Sequence, residues 1–305
     1  MLPVISVIIV NYNGYADTIE CLQSLKEQIG VVCQPLIIDN ASSNDSVAHI
    51  SKAHPDVKLI EAKHNMGFAG GNNLGIELAL AQGYDYLFLV NNDTTLEPDC
   101  LQKLLKCAAT RPDAAVVIPA IYYYGDKTKP WFTGSTASIE NGVFRHEETD
   151  VRVEKIDTPF DVPWVTGCAM LVPAPKMREI GGFDTRYFCY YEDVDWSLRA
   201  ERAKGACVLC PQAVLYHKVF GSSAKKSMKV HYYAARNRLL CVAKNTSADQ
   251  SRTLVRRCTS NMLKEVRRML ICPGPGEGKR RAIADILGVT DYYLRRFGPC
   301  RYSWL

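Results

Sequence analysis

The segment VISVIIVNYNG, residues 4–14, decides the fold. Its first seven residues are apolar except for Ser6 and mostly β-branched, which is typical of a strand buried on both faces of a parallel sheet. Polar residues and a glycine then end the strand. A helix is predicted over residues 18–28, because apolar side chains recur there at helical spacing: Ile19, Cys21, Leu22 and Leu25.

Short apolar runs and helix-length segments alternate through the first 120 residues. Further strands are predicted over residues 36–38, 57–60, 86–90 and 115–118. Helices are predicted between them, near residues 45–53, 70–82 and 98–109. This alternation predicts an α/β fold built on a doubly wound, mostly parallel sheet, whose ligands bind at the carboxyl ends of the strands.

The rest of the chain is less regular at first and then helical. Residues 120–165 are predicted to form loops and a hairpin. From residue 164 the pattern indicates a strand, a short helix, a turn at Gly181-Gly182 and an acidic cluster, and after Gly221 it is almost wholly helical. We therefore expect an α/β domain over residues 1–222 and a basic helical region over residues 223–305.

Charge is divided unevenly between these two parts. Residues 1–220 hold 19 lysines and arginines against 27 aspartates and glutamates, a net charge of −8. Residues 221–305 hold 18 against 5, a net charge of +13. The acidic body favours a site that uses a metal ion and the basic tail favours an anionic partner, although the tail could also be a solvated helical appendage.

The chain shows no targeting signal. It has no run of eighteen uncharged apolar residues, which argues against a spanning helix, and its first residues lack the features of a signal peptide. A cytoplasmic location and reduced cysteines are therefore expected. Cys207 and Cys210 form a C-x-x-C pair, but no second pair follows, so ordinary strand positions are favoured over a zinc site.

Polar residues follow three of the predicted strands. These endings are Asn11-Tyr12-Asn13-Gly14, Asp39-Asn40-Ala41-Ser42-Ser43 and Asn91-Asn92-Asp93-Thr94. Three such endings at one sheet edge predict a single polar site, although the same residue types also favour turns. Asp93 would suit Mg²⁺ or Mn²⁺, which prefer one or two carboxylates together with phosphate oxygens; the alternative is a turn or N-cap residue.

Two further segments carry candidate residues. The glycine-rich run at residues 65–75 leads into a helix whose N-terminus could receive an anion, although its spacing does not fit the dinucleotide-binding fingerprint. The acidic cluster Glu192-Asp193-Val194-Asp195 is a suitable setting for a general base, because neighbouring carboxylates raise one another's pKa. The alternative is an acidic helix start, with Asp195 and Arg199 as a structural pair.

Six motifs in this order resemble glycosyltransferase family 2, and most closely its bacterial rhamnosyltransferase-type members of polysaccharide and O-antigen assembly. They are SVIIVNYNG (6–14), IIDNASS (37–43), NMGFAGGNNLG (65–75), VNNDT (90–94), GGFDTRYFCYYEDVDWSLR (181–199) and YHKVFGSS (216–223). The resemblance covers about residues 4–245. It implies a GT-A fold over residues 1–222, a divalent cation (Mg²⁺ or Mn²⁺) and inversion at the anomeric carbon.

The resemblance also assigns roles to individual residues. Asp193 would be the catalytic base, while Asp93 and His217 would hold the metal that bridges the donor diphosphate. The donor itself would contact Asn11, Tyr12, Asp39, Gly67, Asn72, Asn92 and Glu192. One departure from the family pattern is that Asn91-Asn92-Asp93 keeps a single acid where many members have two or three. Metal binding should therefore depend more heavily on the diphosphate.

The sequence thus predicts a transferase that uses a nucleotide sugar, dTDP-rhamnose or a UDP-sugar, and a glycan or lipid-linked acceptor. No nucleic-acid partner is expected. Two rival functions are a metal-dependent sugar nucleotidyltransferase and a non-catalytic nucleotide-sugar-binding scaffold. The first lacks its glycine- and lysine-rich phosphate loop, and the second would not need the intact acidic cluster.

The tail contains an amphipathic helix, predicted over residues 252–271. Its apolar stripe runs through Leu254, Cys258, Met262, Val266 and Leu270, and its polar side carries six basic residues and one acid. This pattern is typical of a helix lying in a membrane interface, so the tail is predicted to dock at the inner face of the plasma membrane. The alternative is that the stripe packs on the catalytic domain or on a second subunit in a homodimer.

Overall fold

The structure, a computed structural model, describes residues 2–152, 154–219, 227–271 and 277–305. Its first half is a parallel sheet with the strand order β3-β2-β1-β4. The strands are β1 (Val4–Asn11), β2 (Val32–Asp39), β3 (Lys58–Glu61) and β4 (Tyr86–Asn91). They are connected by α1 (Tyr15–Lys26), α2 (Ser46–Ala53) and α3 (Gly67–Gln82). The predicted mostly parallel α/β sheet is confirmed, and β1, with its inner residues fully buried, lies at the middle of this half.

The second half of the sheet mixes strand directions. Its elements are β5 (Thr94–Leu96), α4 (Cys100–Thr110), β6 (Ala114–Tyr123), β7 (Asp126–Phe132), β10 (Phe160–Asp161), β11 (Ala169–Pro173), α5 (Ala174–Ile180), α6 (Glu192–Arg202) and β12 (Ala206–His217). Strand β11 runs antiparallel between β4 and β6, whereas β12 is parallel to β6. A separate hairpin consists of β8 (Ser135–Ser138) and β9 (Val143–His146). Cys207 and Cys210 lie within β12, as expected for ordinary strand residues.

Three helices complete the chain: α7 (Lys229–Asn245), α8 (Ala248–Ile271) and α9 (Glu277–Tyr293). They confirm the helical prediction for the tail, while the expected boundary at residues 222 and 223 lies outside the described residues. Helix α7 packs against α6 of the α/β body. At that contact the Lys244 ammonium pairs with Asp184 at 2.9 Å and with Asp195 at 2.7 Å.

The apolar stripe of α8 faces the protein. Its central residues Cys258, Met262 and Val266 are buried, and the first two pack with residues of α7 and α9. This packing is intramolecular, so it agrees with the alternative in which the stripe packs on protein rather than on a membrane. Leu263 and Leu270, in contrast, are 46% and 45% exposed on the solvent side of the helix. No helix within the described ranges is long and apolar enough to cross a bilayer.

Helix α3 packs closely on β1, and a glycine makes this approach possible. A Cβ atom at Gly75 would lie 2.4 Å from Cγ2 of Ile8 and 3.5 Å from Cγ1 of Ile38. The first distance is shorter than any van der Waals contact, and Ile8 is fully buried in the centre of the sheet. Glycine at this position therefore sets the distance between α3 and the strands that carry the site.

We predict that Gly75→Ala destabilises the protein. Overpacking of a core costs about 1–3 kcal/mol, which exceeds the gain of up to about 1 kcal/mol from alanine's better helix propensity. The measurement is the thermal unfolding midpoint. Gly125→Ala is the matched control, because a Cβ there meets no atom within 4 Å. An unchanged or higher midpoint for Gly75→Ala would contradict this account of the α3 packing.

Candidate active site

The register of β1 and β2 builds the first part of the site. Asn11 and Asp39, the last residues of these strands, lie opposite each other, and Asn11 Nδ2 donates to Asp39 Oδ2 at 2.7 Å. Asp39 also accepts hydrogen bonds from the backbone N–H and the hydroxyl of Ser42, at 2.9 and 2.7 Å. The buried Asp39 carboxylate thus fixes the loop after β2 against the end of β1.

The turn between β1 and α1 is held from two sides. Asn11 Oδ1 accepts a hydrogen bond from the Thr18 hydroxyl at 2.9 Å, and Asn92 Nδ2 donates to Gly14 O and Thr18 Oγ1 at 3.2 and 3.1 Å. Asn11 and Asn92 are buried, whereas Tyr12 is 43% exposed at the rim. Of the predicted donor contacts at this corner, Tyr12 is therefore the side chain most open to a ligand.

Asp93 and His217 lie side by side, as the predicted metal site requires. His217 Nε2 is 3.1 Å from Asp93 Oδ1, and both side chains are almost buried. Antiparallel pairing of β5 with β12 creates this contact, because Thr94 lies opposite His217 and the Lys218 N–H donates to Asp93 O at 2.9 Å. The Trp131 ring packs edge-on against the histidine, with the centroids 4.5 Å apart.

The donor atoms of this pair fit a cation that is shared with a ligand. The pair offers one carboxylate oxygen and one imidazole nitrogen, and Mn²⁺ accepts both kinds of ligand. Mg²⁺ usually binds one or two carboxylates together with phosphate and water. His217 Nδ1 is buried and bonds to no described residue, so the ring has one nitrogen uncommitted. No cluster of three or more His, Cys, Asp or Glu occurs among the described residues. Water and the diphosphate of a bound donor would supply further ligands.

The glycine-rich segment begins α3 in a strained backbone conformation. Gly67 has φ +70°, and a Cβ there would lie 2.3 Å from the Phe188 carbonyl oxygen, so the position requires glycine. The Asn40 side chain accepts a hydrogen bond from Met66 N at 2.9 Å and donates to Gly67 O at 3.0 Å. Asn72, another predicted donor contact, is buried and donates to Phe68 O within its own helix at 3.0 Å.

The acidic cluster begins α6. Asp193 accepts one backbone hydrogen bond on each carboxylate oxygen, from Gly167 N and Val194 N, both at 2.8 Å. Burial nevertheless raises the pKa of Asp193 above its ordinary value. Glu192 is 4% exposed, its Oε2 bonds to no described residue, and burial and the adjacent Asp193 raise its pKa well above the usual range. Glu192 is buried and Asp193 is half-buried, and both carboxyl groups have a raised affinity for a proton.

Asp195 has a structural role. Its fully buried carboxylate accepts hydrogen bonds from Arg199 Nε at 3.1 Å, Lys244 Nζ at 2.7 Å and the Tyr187 hydroxyl at 3.2 Å. Arg199 in turn donates to the carbonyl oxygens of Ile180 and Gly182, both at 2.6 Å. The pair predicted at i and i+4 thus ties α6 to the turn before it and to α7.

The loop before β11 joins these parts into one site. Cys168 O accepts a hydrogen bond from Asn91 N at 2.9 Å, and the neighbouring Gly167 N holds Asp193. The pKa of the buried Cys168 thiol is raised mainly by burial, and the nearby charges of Asp93 and Asp193 raise it further. The Asp93–His217 pair and Asp193 therefore both lie close to this loop.

Sequence reasoning missed several residues around the site. Trp131, His146 and Trp164 form a cluster of rings beside His217, with centroid distances of 4.9 Å from His146 to Trp131 and 5.3 Å to Trp164. They come from residues 120–165, the region predicted to form loops and a hairpin. Its aromatic residues were the signal that could have identified them. Arg236 and Asn237 of α7 reach the turn before Glu192. They were overlooked because nothing local marks a helix residue as a contact of a distant loop.

Comparisons with known proteins agree with this geometry. A model of glycosyl transferase family 2 matches residues 6–169, more than half of the chain. The chain is 28% identical over 238 residues to N-acetylglucosaminyl-diphospho-decaprenol L-rhamnosyltransferase of Mycobacterium tuberculosis, covering 72% of this chain and 77% of the relative. It is 25% identical over 250 residues to the dTDP-rhamnosyl transferase RfbF of Shigella flexneri, covering 78% and 79%.

A solved structure shows the same fold. The mannosyltransferase PcManGT from Pyrobaculum calidifontis, in complex with GDP-Man and Mn²⁺, superimposes with a TM-score of 0.60 over 97% of this chain and 88% of its own, at 12% identity. The expected GT-A architecture is confirmed, with a helical C-terminal region attached to it. The chain belongs to glycosyltransferase family 2, in its rhamnosyltransferase-like branch.

Proposed function

We propose that this glycosyltransferase is inverting and metal-dependent and transfers a sugar, with rhamnose favoured, from dTDP-rhamnose or a UDP-sugar to an acceptor hydroxyl. The acceptor would be a glycan or a lipid-linked glycan of bacterial polysaccharide or O-antigen assembly. The names of the two relatives, one acting on a decaprenol-linked sugar and one using dTDP-rhamnose, support this choice. Family membership disfavours both the nucleotidyltransferase and the non-catalytic scaffold.

One observation carries the proposal: Asp193 is anchored by two backbone amides and retains a raised pKa. A general base works best when its pKa approaches the operating pH, and burial moves Asp193 in that direction. The anchoring fixes where the carboxylate points, which a proton transfer in a single displacement requires. Asp193 and Asp93 both lie near Cys168, where their charges raise the pKa of its thiol, so the proposed base and the proposed cation site border the same loop.

The reaction is a single displacement. The acceptor oxygen forms a bond to the anomeric carbon while the bond from that carbon to the diphosphate oxygen breaks. The acceptor proton passes to Asp193, and the bonding electrons leave with the nucleoside diphosphate. Asp93 and His217 would hold Mg²⁺ or Mn²⁺, which when bound neutralises the charge on the departing diphosphate. Asn11, Tyr12, Asp39, Asn92 and the start of α3 at Gly67 and Asn72 would shape the donor pocket, and Glu192 would adjoin the base.

We predict that Asp193→Asn lowers kcat by about 10²–10⁴-fold, the usual size of general-base assistance, and leaves donor affinity nearly unchanged. In the wild-type enzyme the base must be deprotonated, so kcat falls as the pH falls through its raised pKa. This acid limb should lie above that of an ordinary aspartate. Steady-state kinetics and titration calorimetry measure both quantities. Glu201→Gln, an exposed site on the same helix, is the control. More than about a tenth of wild-type kcat in Asp193→Asn would exclude this base.

We predict that Asp93→Ala removes the cation-dependent part of donor affinity. Calorimetry with dTDP-rhamnose or a UDP-sugar should show binding at least about 10-fold weaker than wild type with Mg²⁺ or Mn²⁺ present, and similar binding after chelation. Asp56→Ala, an exposed acid far from the site, controls for the loss of one negative charge. Full wild-type activity in the presence of a chelator would show that Asp93 is a turn residue.

A lipid-linked acceptor would lie at a membrane surface, and we propose that the α8–α9 end of the protein docks there. The solvent side of α8 exposes Leu263, Leu270 and Ile271, the last of these at 63%. Basic residues surround them on α8 and on the start of α9: Lys264, Arg267, Arg268, Lys279 and Arg280. Exposed leucines among cations match an anionic lipid surface, where each basic residue contributes about 1 kcal/mol. The buried residues of the apolar stripe, Cys258, Met262 and Val266, take no part.

We predict co-sedimentation with vesicles that contain anionic lipid, weakening as salt is added and absent with neutral vesicles. The combined variant Lys264→Ala, Arg267→Ala and Arg268→Ala should lose most of this binding. The control variant combines Lys52→Ala, Lys58→Ala and Lys63→Ala. It removes the same charge from the opposite part of the chain and should retain vesicle binding. Truncation is avoided because α8 and α9 bury apolar residues of α7. Equal binding to neutral vesicles, or none to anionic ones, would exclude this docking surface.

A further inference from the structure

The turn that precedes the acidic pair has an unusual backbone. Phe188, Tyr190 and Tyr191 have φ values of 66°, 69° and 73°, in the left-handed region that L side chains rarely adopt. Three bulky aromatic residues within four positions make this strained conformation improbable for an isolated chain. Such a conformation persists only where the surrounding structure holds it, and it concentrates at functional sites.

Two adjacent residues of α7 hold this turn. Asn237 Nδ2 points at three carbonyl oxygens, those of Tyr187 at 3.0 Å and of Cys189 and Tyr190 at 2.8 Å. Asn237 Oδ1 accepts a hydrogen bond from Arg236 Nε at 2.9 Å, which fixes the orientation of the amide. The donors of the asparagine are thereby committed to the turn.

Arg236 adds a second set of contacts to the same turn. Its guanidinium donates to Tyr187 O at 2.9 Å and to Gly298 O near the C-terminus at 2.7 Å. The side chain is fully buried, which is unfavourable for a cation unless its donors are satisfied. Among the described residues its partners are backbone carbonyls, the side-chain oxygens of Asn237 and Tyr232, and the faces of Tyr232, Tyr233 and Phe297, with no carboxylate among them. Arg236 and Asn237 therefore act as one unit directed at the turn.

The turn connects α7 with both halves of the site. Phe188 O accepts a hydrogen bond from Ala69 N at 3.2 Å and occupies the space that a Cβ at Gly67 would need. At its other end, Tyr191 O accepts a hydrogen bond from Asp195 N at 2.9 Å and so begins α6. A shift of the turn would move Glu192 and Asp193 relative to the start of α3.

We propose that Arg236 and Asn237 are positioning residues of the transferase site, which hold the left-handed turn so that Asp193 stays where the acceptor hydroxyl is deprotonated. This inference rests on the proposed role of Asp193 as base. It makes α7 a part of the catalytic unit, although α7 belongs to the basic helical region. The titratable groups near the acidic pair are Cys168 in the loop, Cys189, Tyr190 and Tyr191 in the turn, Asp195 on α6 and Cys241 on α7.

The test compares three variants of the full-length enzyme. Asn237→Ala should lower kcat by roughly 10²-fold, the effect expected of a displacement of about 1 Å, with little change in KM for the donor. The acid limb of the kcat–pH profile should move to lower pH, because a displaced turn admits water to carboxyl groups whose pKa is raised by burial. Arg236→Lys, which keeps the charge but loses the planar fork, should show the same changes to a smaller extent. Tyr233→Phe is the control, since it loses one hydrogen bond to Cys300 N and keeps the ring.

The outcomes separate the possible failures. The positioning role is supported if Asn237→Ala lowers kcat and shifts the pH profile while Tyr233→Phe, at a similar unfolding midpoint, keeps normal kinetics. Wild-type kcat and pH profile in Asn237→Ala, or a loss that Tyr233→Phe shares without any pH shift, overturns it. If Asn237→Ala does not fold, Arg236→Lys decides by the same two measurements. Failure of the proposed function is recognised separately, because the wild-type enzyme would then transfer no sugar from any donor.

Discussion

The parallel pairing of β1 with β2 on one side and with β4 on the other determines where the site can form. This register places Asn11 opposite Asp39 and Val10 opposite Asn91, so three strand ends meet at one sheet edge. Because parallel strands run in the same direction, their carboxyl ends lie at the same edge of the sheet. The polar residues that follow each strand therefore converge at that edge. The proposed donor pocket and the proposed cation site both depend on this edge. A one-residue slip of β1 would also turn its buried side chains to the opposite face.

The second half of the chain contributes carboxyl groups that differ in their electrostatic surroundings. At the start of α6 the buried Glu192 and the half-buried Asp193 have raised proton affinity, whereas the fully buried Asp195 is paired with Lys244 and Arg199. Three acids within one turn of helix thus differ in role because their surroundings differ. Where a cation is within reach the carboxylate serves the fold. Asp193 is held by backbone amides instead, and burial raises its pKa.

Much of this organisation could be predicted from the sequence, because it is local. The β-branched run of β1 and the polar residues after β1, β2 and β4 identify strands and the site edge, and the acids at 192–195 identify the start of α6. Strand β5 could not be predicted, and for β11 the sequence predicts a strand but not its antiparallel direction, since pairing depends on partners distant in the chain. The hold of Asn237 on the turn before Glu192 is likewise a contact over 47 residues or more. Helix periodicity in α8 revealed an apolar stripe but could not reveal what covers it.

Strand β11 has a consequence for how the chain is made. It lies between β4 and β6, so β4 keeps one open edge until residues 169–173 are available to pair with it. During synthesis, therefore, the first four parallel strands exist for about 80 residues of further elongation with an apolar strand unpaired at their border. An open, apolar strand edge is a template for pairing with other chains. Nascent chains halted within this interval should be the form of the protein most prone to aggregate, and the most dependent on chaperones.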